Sequence, residues 1–288
     1  GWYGECDRCD AHLTWHRSTG RLCCHHCGHQ RRAPLMCPNC EADALVGAGE
    51  GTQQLEETLA QRFPDAPVLR FDRDRVSRKG VMDRQLEDVR RGEACLMVGT
   101  QMLAKGHHFP AVTLVVIVNI DQAMYSADYR ALERMGQMIL QVAGRAGRSD
   151  KPGTVILQTL HPEHAALDVL LNRGYEDYAA QLLDEREMAG LPPAGYQALL
   201  RAEAHHKGMV EDFLREVLRL FPEGGTRVFG PMPAIMERMD GRSRMYLVLL
   251  SDNRSDLHGQ IDRWLPLIRQ TRLARKIRWS VDIDPQEL

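Results

Sequence analysis

From position 52 onward the apolar residues alternate between two periods. Leu55, Leu59 and Phe63 recur at i, i+4 and i+8, one face of a helix. Thr52 reads as its N-cap and Pro64 as its stop, because proline lacks the N–H the next turn needs. Val68 to Phe71 reads as a strand, Met82, Leu86 and Val89 as a second helix, and Cys95 to Val98 as a buried strand. Thr113 to Ile120 is the strongest strand, apolar nearly throughout, as in a parallel sheet covered on both faces. Leu132, Met135, Ile139 and Val142 share a helical face, and Thr154 to Thr159 closes the set. Strands and helices in alternation predict a doubly wound α/β lobe.

The pattern then changes. His161 to Met188 reads as helical, with Leu167, Leu170, Leu171, Tyr175 and Tyr178 inward, and Leu191-Pro192-Pro193 is a firm break. Beyond it, Gln197 to Ala202, Val228 to Gly230, Met245 to Leu250 and Ile277 to Ile283 read as strands. Helices cover Val210 to Leu220 and the Leu257, Ile261, Leu265, Ile268 stripe, and Asp240-Gly241 marks a hairpin turn. This is a small α+β domain. The expected partition is 1–45, 46–190 and 191–288.

Residues 1–45 have no such periodicity; there the cysteines speak. Of eight in the chain, seven fall within the first forty residues. Six form Cys-x-x-Cys pairs: Cys6/Cys9, Cys24/Cys27 and Cys37/Cys40. Two-residue spacing lets both thiolates face one ion at about 2.3 Å. Thr14 to His16 and Arg21-Leu22, turning at Ser18-Thr19-Gly20, supply the hairpin of a zinc ribbon. Disulfides would need a secretory route, and neither a signal peptide nor a membrane-length apolar run is present. A redox dithiol would not occur in triplicate. Cys23, next to Cys24, leaves the register open, and His25, His26 and His29 are competing ligands. Three pairs make one and a half four-thiolate sites, and the chain starts at Gly1 without a methionine. We therefore expect a fragment, with the pair that completes the Cys37/Cys40 site just upstream.

Composition adds less. The 288 residues are 43% hydrophobic and 26% charged, ordinary for a globular chain of two domains or so. The net charge of -2 excludes a globally basic nucleic-acid binder but not a basic cleft. Only five residues of the basic set are lysine. Arginine suits phosphate recognition, although a GC-rich genome explains the bias equally well. Arg238, Arg242 and Arg244 flank the hairpin turn, and Arg269, Arg272, Arg275 and Lys276 cluster near the chain end. They read either as DNA phosphate contacts or as solvated surface.

Two segments of the α/β lobe carry chemistry. Gly99-Thr100-Gln101-Met102-Leu103-Ala104-Lys105-Gly106-His107-His108-Phe109-Pro110 follows a strand at its C-terminal end, where open α/β sheets bind ligands. Gln141-Val142-Ala143-Gly144-Arg145-Ala146-Gly147-Arg148 ends a helix with two arginines, each behind a glycine. The glycines allow close backbone approach, and the arginines suit the charge that develops on a transferring phosphoryl group.

These segments resemble motifs V and VI of superfamily 2 helicases, and Gly49 to Glu56 resembles the motif IV region. With the cysteine-rich segment, Gly230-Pro231-Met232-Pro233-Ala234 and Asp282-Ile283-Asp284-Pro285, the chain is similar throughout to the C-terminal portion of the primosomal protein N′ (PriA) family of replication-restart helicases. The resemblance implies a RecA-like second helicase lobe with an inserted zinc-ribbon-like module and a small α+β C-terminal domain. It implies that Arg145 and Arg148 reach the γ-phosphate of ATP held by the other lobe, with Gln141 coupling and Gly144, Gly147 and Gly106 near the nucleotide. Thr52, Thr100, Gln101 and Lys105 would contact DNA, as would Arg242 and Arg244. Two structural zincs are implied for the intact protein, one complete here on Cys6, Cys9, Cys24 and Cys27, the other needing Cys37 and Cys40 plus an upstream pair.

The implied activity is ATP- and Mg-dependent 3′-to-5′ unwinding at stalled or repaired forks, initiating primosome assembly. The implied partners are forked and single-stranded DNA, the single-stranded DNA-binding protein, other primosome proteins and the replicative helicase loading system. The implied setting is the bacterial cytoplasm at the nucleoid, without a membrane. No Gly-x-x-x-x-Gly-Lys-Ser/Thr occurs in the chain, and Asp184-Glu185 does not follow a buried strand. The chain alone is therefore expected not to hydrolyse ATP. The alternative is a non-catalytic, zinc-containing platform for fork binding and helicase loading; an RNA helicase lobe fits the zinc insertion poorly.

Overall fold

The computed structural model describes residues 2–16, 19–43, 51–71, 89, 95–100, 112–126, 128–144 and 153–287. Contacts divide the chain into two compact units. One is Gly47–Ala179; the other joins Gly1–Val46 to Ala180–Leu288.

In the first unit, α1 (Thr52–Arg62) leads to β4 (Val68–Phe71), which pairs in parallel with β5 (Leu96–Gly99). The N-cap of α1 is Gly51, in extended conformation, so Thr52 is the first helical residue rather than the cap. Phe63 caps the other end and is exposed instead of completing the apolar face. Arg70 of β4 pairs with Glu56 of α1 at 3.0 Å, tying strand to helix. A second parallel pair joins β6 (Leu114–Ile117) to β7 (Thr154–Leu157). β6 is shorter than its apolar run because Asn119 turns left-handed (φ 53°) into the short helix α2 (Asp121–Met124). Leu114, Val116 and Ile156 face outward, so one side of this pair is exposed rather than covered. Parallel pairing requires crossover connections, and this is the α/β lobe its alternating pattern predicts. Met82 and Leu86 of the expected second helix lie outside the described residues, whereas Val89 is buried against Phe71.

α3 (Ala131–Ala143) buries Met135, Gly136 and Ile139, as its 3.6-residue period demands. The helical run after His161 is two helices, α4 (Ala165–Asn172) and α5 (Tyr175–Ala189), broken at Gly174 (φ 93°). Leu167 and Leu170 point inward; Leu171 is exposed, being a further 100° round the helix. Tyr178 packs on Gly136 and donates its hydroxyl to the Leu132 carbonyl at 2.6 Å.

The C-terminal part of the other unit is an antiparallel sheet of β8 (Tyr196–Ala204), β9 (Arg227–Met239), β10 (Arg242–Ser251) and β11 (Arg278–Ile283). The strands lie in the order β11-β8-β10-β9. α6 (Lys207–Arg219) and α7 (Arg254–Gln270) cover one face. Alternation decides which side chains meet them: Ala198, Leu200 and Ala202 from β8, and Met245, Leu247 and Leu249 from β10. The opposite face buries Leu199, Tyr246, Val248 and Leu250 under Leu191, Met232 and Ala234. Asn253 caps α7 by accepting from the Ser255 and Asp256 amides. Trp264 is fully buried, donates Nε1–H to the Val217 carbonyl at 2.8 Å and stands edge-on to Phe221. Trp264→Ala is expected to cost about 3–5 kcal/mol, read as a lower denaturation midpoint of this domain.

The β9–β10 hairpin turns through Asp240 (φ 50°) and Gly241 (φ 73°), both left-handed as a two-residue type I′ turn requires. Its tip is where the N-terminal segment attaches. That segment is a three-stranded antiparallel sheet of β1 (Thr14–His16), β2 (Arg21–Cys23) and β3 (Gln30–Arg32). The third strand is additional to the expected hairpin.

Candidate metal centre and motor motifs

The first knuckle, Cys6 to Cys9, precedes β1, and the second, Cys24 to Cys27, links β2 to β3. The three-stranded sheet thus brings two sequence-distant turns to one point. The four thiols lie with their sulfurs within 4.8 Å of one another, and Cys6 and Cys27 Sγ are 3.7 Å apart. Tetrahedral zinc–sulfur bonds of about 2.3 Å place sulfurs roughly 3.8 Å apart. Among the described residues this is the one cluster that fits a metal ion, and it is all thiol. Cys24 is its member and Cys23 is not; Cys23 pairs in register with Thr14 on the sheet. His25, His26 and His29 stay outside, His29 facing Asp7 at 3.4 Å.

The electrostatics ask for a cation. Burial pushes the Cys9 thiol up to about 12, and burial likewise raises Cys6. Burial also raises Cys24, but the Cys27 and His26 amides together with the Cys6 and Cys27 thiols directed at its sulfur outweigh that and bring it down to about 7. Four clustered, mostly buried thiols do not ionise together unless a dication compensates them. The group fits a closed structural zinc site, with no open position for chemistry. Cys23→Ala is expected to keep one zinc per chain and Cys24→Ala to lose it, as measured by metal analysis after gel filtration.

Cys37/Cys40 has the same local build. The amide of each leading cysteine donates to the carbonyl five residues on: Cys6 to Ala11, Cys24 to His29 and Cys37 to Ala42. In the last two knuckles the residue four positions on is left-handed, Gly28 (φ 73°) and Glu41 (φ 56°), and its amide returns to the cysteine carbonyl. The Asn39 and Cys40 amides lower the Cys37 thiol. Cys37 is buried and Cys40 exposed, so the turn is shaped like a ligand pair while its second thiol faces outward.

Sequence reasoning missed the groups around the first knuckle. The Asp240 amide at the hairpin tip donates to Cys9 Sγ at 3.2 Å, as the Arg8 amide does to Cys6 Sγ at 3.4 Å. Arg238 and Asp10 exchange two hydrogen bonds, Asp10 N–H to the Arg238 carbonyl at 2.9 Å and Arg238 N–H to the Asp10 carboxylate (Oδ2) at 2.6 Å, and also pair through their side chains. Gly241 N–H donates to Arg8 O at 2.7 Å, Arg8 pairs with Asp240, and Met236 and Met239 pack on the module's core. Arg238, one of the arginines flanking the turn, is thereby engaged within the chain. The only sequence signal was Asp240-Gly241, which announces a turn and nothing about what docks on it.

The segments that resemble helicase motifs lie partly among the described residues. Thr52 begins α1, and Thr100 is exposed just beyond β5, at its C-terminal end. Gln141 is exposed on the last turn of α3, and Gly144 caps that helix. Gln101, Lys105, Gly106, Arg145, Gly147 and Arg148 lie outside the described residues. Arg242 begins β10 opposite Met239, and half-buried Arg244 reaches the Met239 sulfur. No helix among the described residues is long and apolar enough to cross a membrane.

Three family models match in succession: the PriA DNA helicase Cys-rich region domain over residues 6–32, the helicase conserved C-terminal domain over 42–150, and the primosomal protein N C-terminal domain over 187–286. Proteins named replication restart protein PriA are similar along the chain. That of Haemophilus influenzae is 43% identical over all of this chain and 40% of its own length. That of Synechocystis is 39% identical over 99% of this chain and 34% of its own. That of Bacillus subtilis is 33% identical over 99% of this chain and 36% of its own. The chain thus spans about two fifths of the length of these relatives or less.

Proposed function

We propose that this chain, which belongs to the PriA family of replication restart proteins and corresponds to its C-terminal part, works as the second motor lobe, zinc module and DNA-binding domain of an ATP-dependent 3′-to-5′ DNA helicase. The roles divide as 1–45, 46–190 and 191–288. One observation carries the reading: a closed four-thiol centre and an intact Gln-x-x-Gly-Arg-x-Gly-Arg segment, whose Gln141 lies in the last turn of α3, occur in one chain.

ATP and magnesium belong to the whole protein, and the other lobe would supply the phosphate-binding lysine. From this lobe, Arg145 and Arg148 approach the γ-phosphate across glycines that keep the backbone close, and Gln141 couples the helix end to the nucleotide. Thr52, Thr100, Gln101 and Lys105 hold the DNA backbone, the first from a helix N-terminus that favours phosphate. Arg242 and Arg244 add phosphate contacts in the C-terminal domain, which weaken with salt. Zinc shapes the module and takes no part in the chemistry. Forked and single-stranded DNA are the substrates. The single-stranded DNA-binding protein, the other primosome proteins and the replicative helicase loading system are the partners, in the cytoplasm at the nucleoid.

The test is strand separation by the full-length protein on partial duplexes bearing a 3′ or a 5′ single-stranded tail. ATP-dependent displacement from the 3′-tailed substrate supports the reading. Fork binding with no displacement from either substrate overturns it in favour of a non-catalytic loading platform.

A further inference from the structure

We infer that the tip of the C-terminal hairpin, Arg238 to Gly241, is the outer shell of the zinc centre, so that zinc occupancy and docking of the cysteine-rich module on the C-terminal domain are one coupled equilibrium. This goes beyond the helicase reading and stands if that reading fails.

The connection is built from main-chain and side-chain groups at the first knuckle. The Asp240 amide reaches Cys9 Sγ across 231 positions of sequence. An amide hydrogen bond to a metal-bound thiolate is charge-assisted, and roughly twice as strong as one to a neutral acceptor. It exists only while the turn holds Asp240 left-handed, and Gly241 N–H to Arg8 O and Arg238 N–H to Asp10 Oδ2 brace the turn on either side. Arg238 also donates to the Cys6 carbonyl. Both ligands of this knuckle are thus held from the C-terminal domain, whereas no such bond from that domain is seen at Cys24 or Cys27 among the described residues. Partners of metal ligands orient them and affect metal retention. Binding linkage is reciprocal: if the tip favours bound zinc, bound zinc favours the tip by the same factor.

The experiment uses the whole 288-residue chain. Hydrogen exchange is followed with zinc bound and after removal by a strong chelator. The segment 236–242 is expected to exchange at least about 5-fold faster without zinc. The central strands β8 and β10, at Leu199 and Leu247, keep their protection. Unchanged exchange at 236–242, while 13–32 loses protection, would overturn the inference. The reciprocal arm measures zinc transfer to a chromogenic chelator. Arg238→Ala and the milder Asp10→Asn should release zinc faster than the parent, and Arg278→Ala, whose partner is Glu203 on the same sheet, should match the parent. Parental release rates in both Arg238→Ala and Asp10→Asn would refute the coupling.

Discussion

Arg148→Ala in the full-length protein is expected to lower DNA-stimulated ATP turnover by about a thousand-fold or more, with DNA binding nearly unchanged. The size follows from the role. An arginine that meets the γ-phosphate only as charge develops stabilises the transition state more than the ground state, so kcat falls and KM moves little. Arg145→Ala should fall in the same direction, because both arginines belong to the same Gln-x-x-Gly-Arg-x-Gly-Arg segment. Lysine at position 148 should recover little, since a point charge cannot reproduce the planar fork. A modest loss, below about tenfold, would place Arg148 away from the phosphate.

Removing zinc is the second large effect. Chelation is expected to unfold β1, β2 and β3 while the four-stranded C-terminal sheet persists. The module's core is little more than Leu13, Leu22 and the cysteines themselves, so metal binding is most of its folding free energy. Structural zinc in comparable small modules contributes about 10–16 kcal/mol. The C-terminal domain has its own core around Phe213, Leu214, Leu247 and Trp264 and needs no metal. Circular dichroism before and after chelation should show partial loss of structure, restored by zinc. Lost signal at Trp264, or no loss in the module, would contradict this.

What the sequence revealed followed interaction range. The ribbon was legible because Cys-x-x-Cys spacing is a local geometric requirement, and the Asp240-Gly241 turn because left-handed residues are locally specified. The pattern from His161 reads as one helix because Gly174 is a single break inside an otherwise good periodicity. Thr52 reads as a cap because threonine suits that position, yet Gly51 takes the extended conformation there. The docking of Arg238 and Asp240 on the first knuckle could not be read at all. Contacts across 228 to 231 residues leave no periodicity, and an arginine beside a turn looks the same whether it meets a phosphate or Asp10. Cys23 and Cys24 could be told apart only once β2 fixed which faces the other knuckle.

The measurement that tests the function most directly is ATP hydrolysis by the full-length protein with and without forked DNA. Strong stimulation by forks is predicted, with Arg145 and Arg148 required for it. Absent turnover with fork binding intact would contradict a motor and leave the chain as part of a structure-specific loading platform.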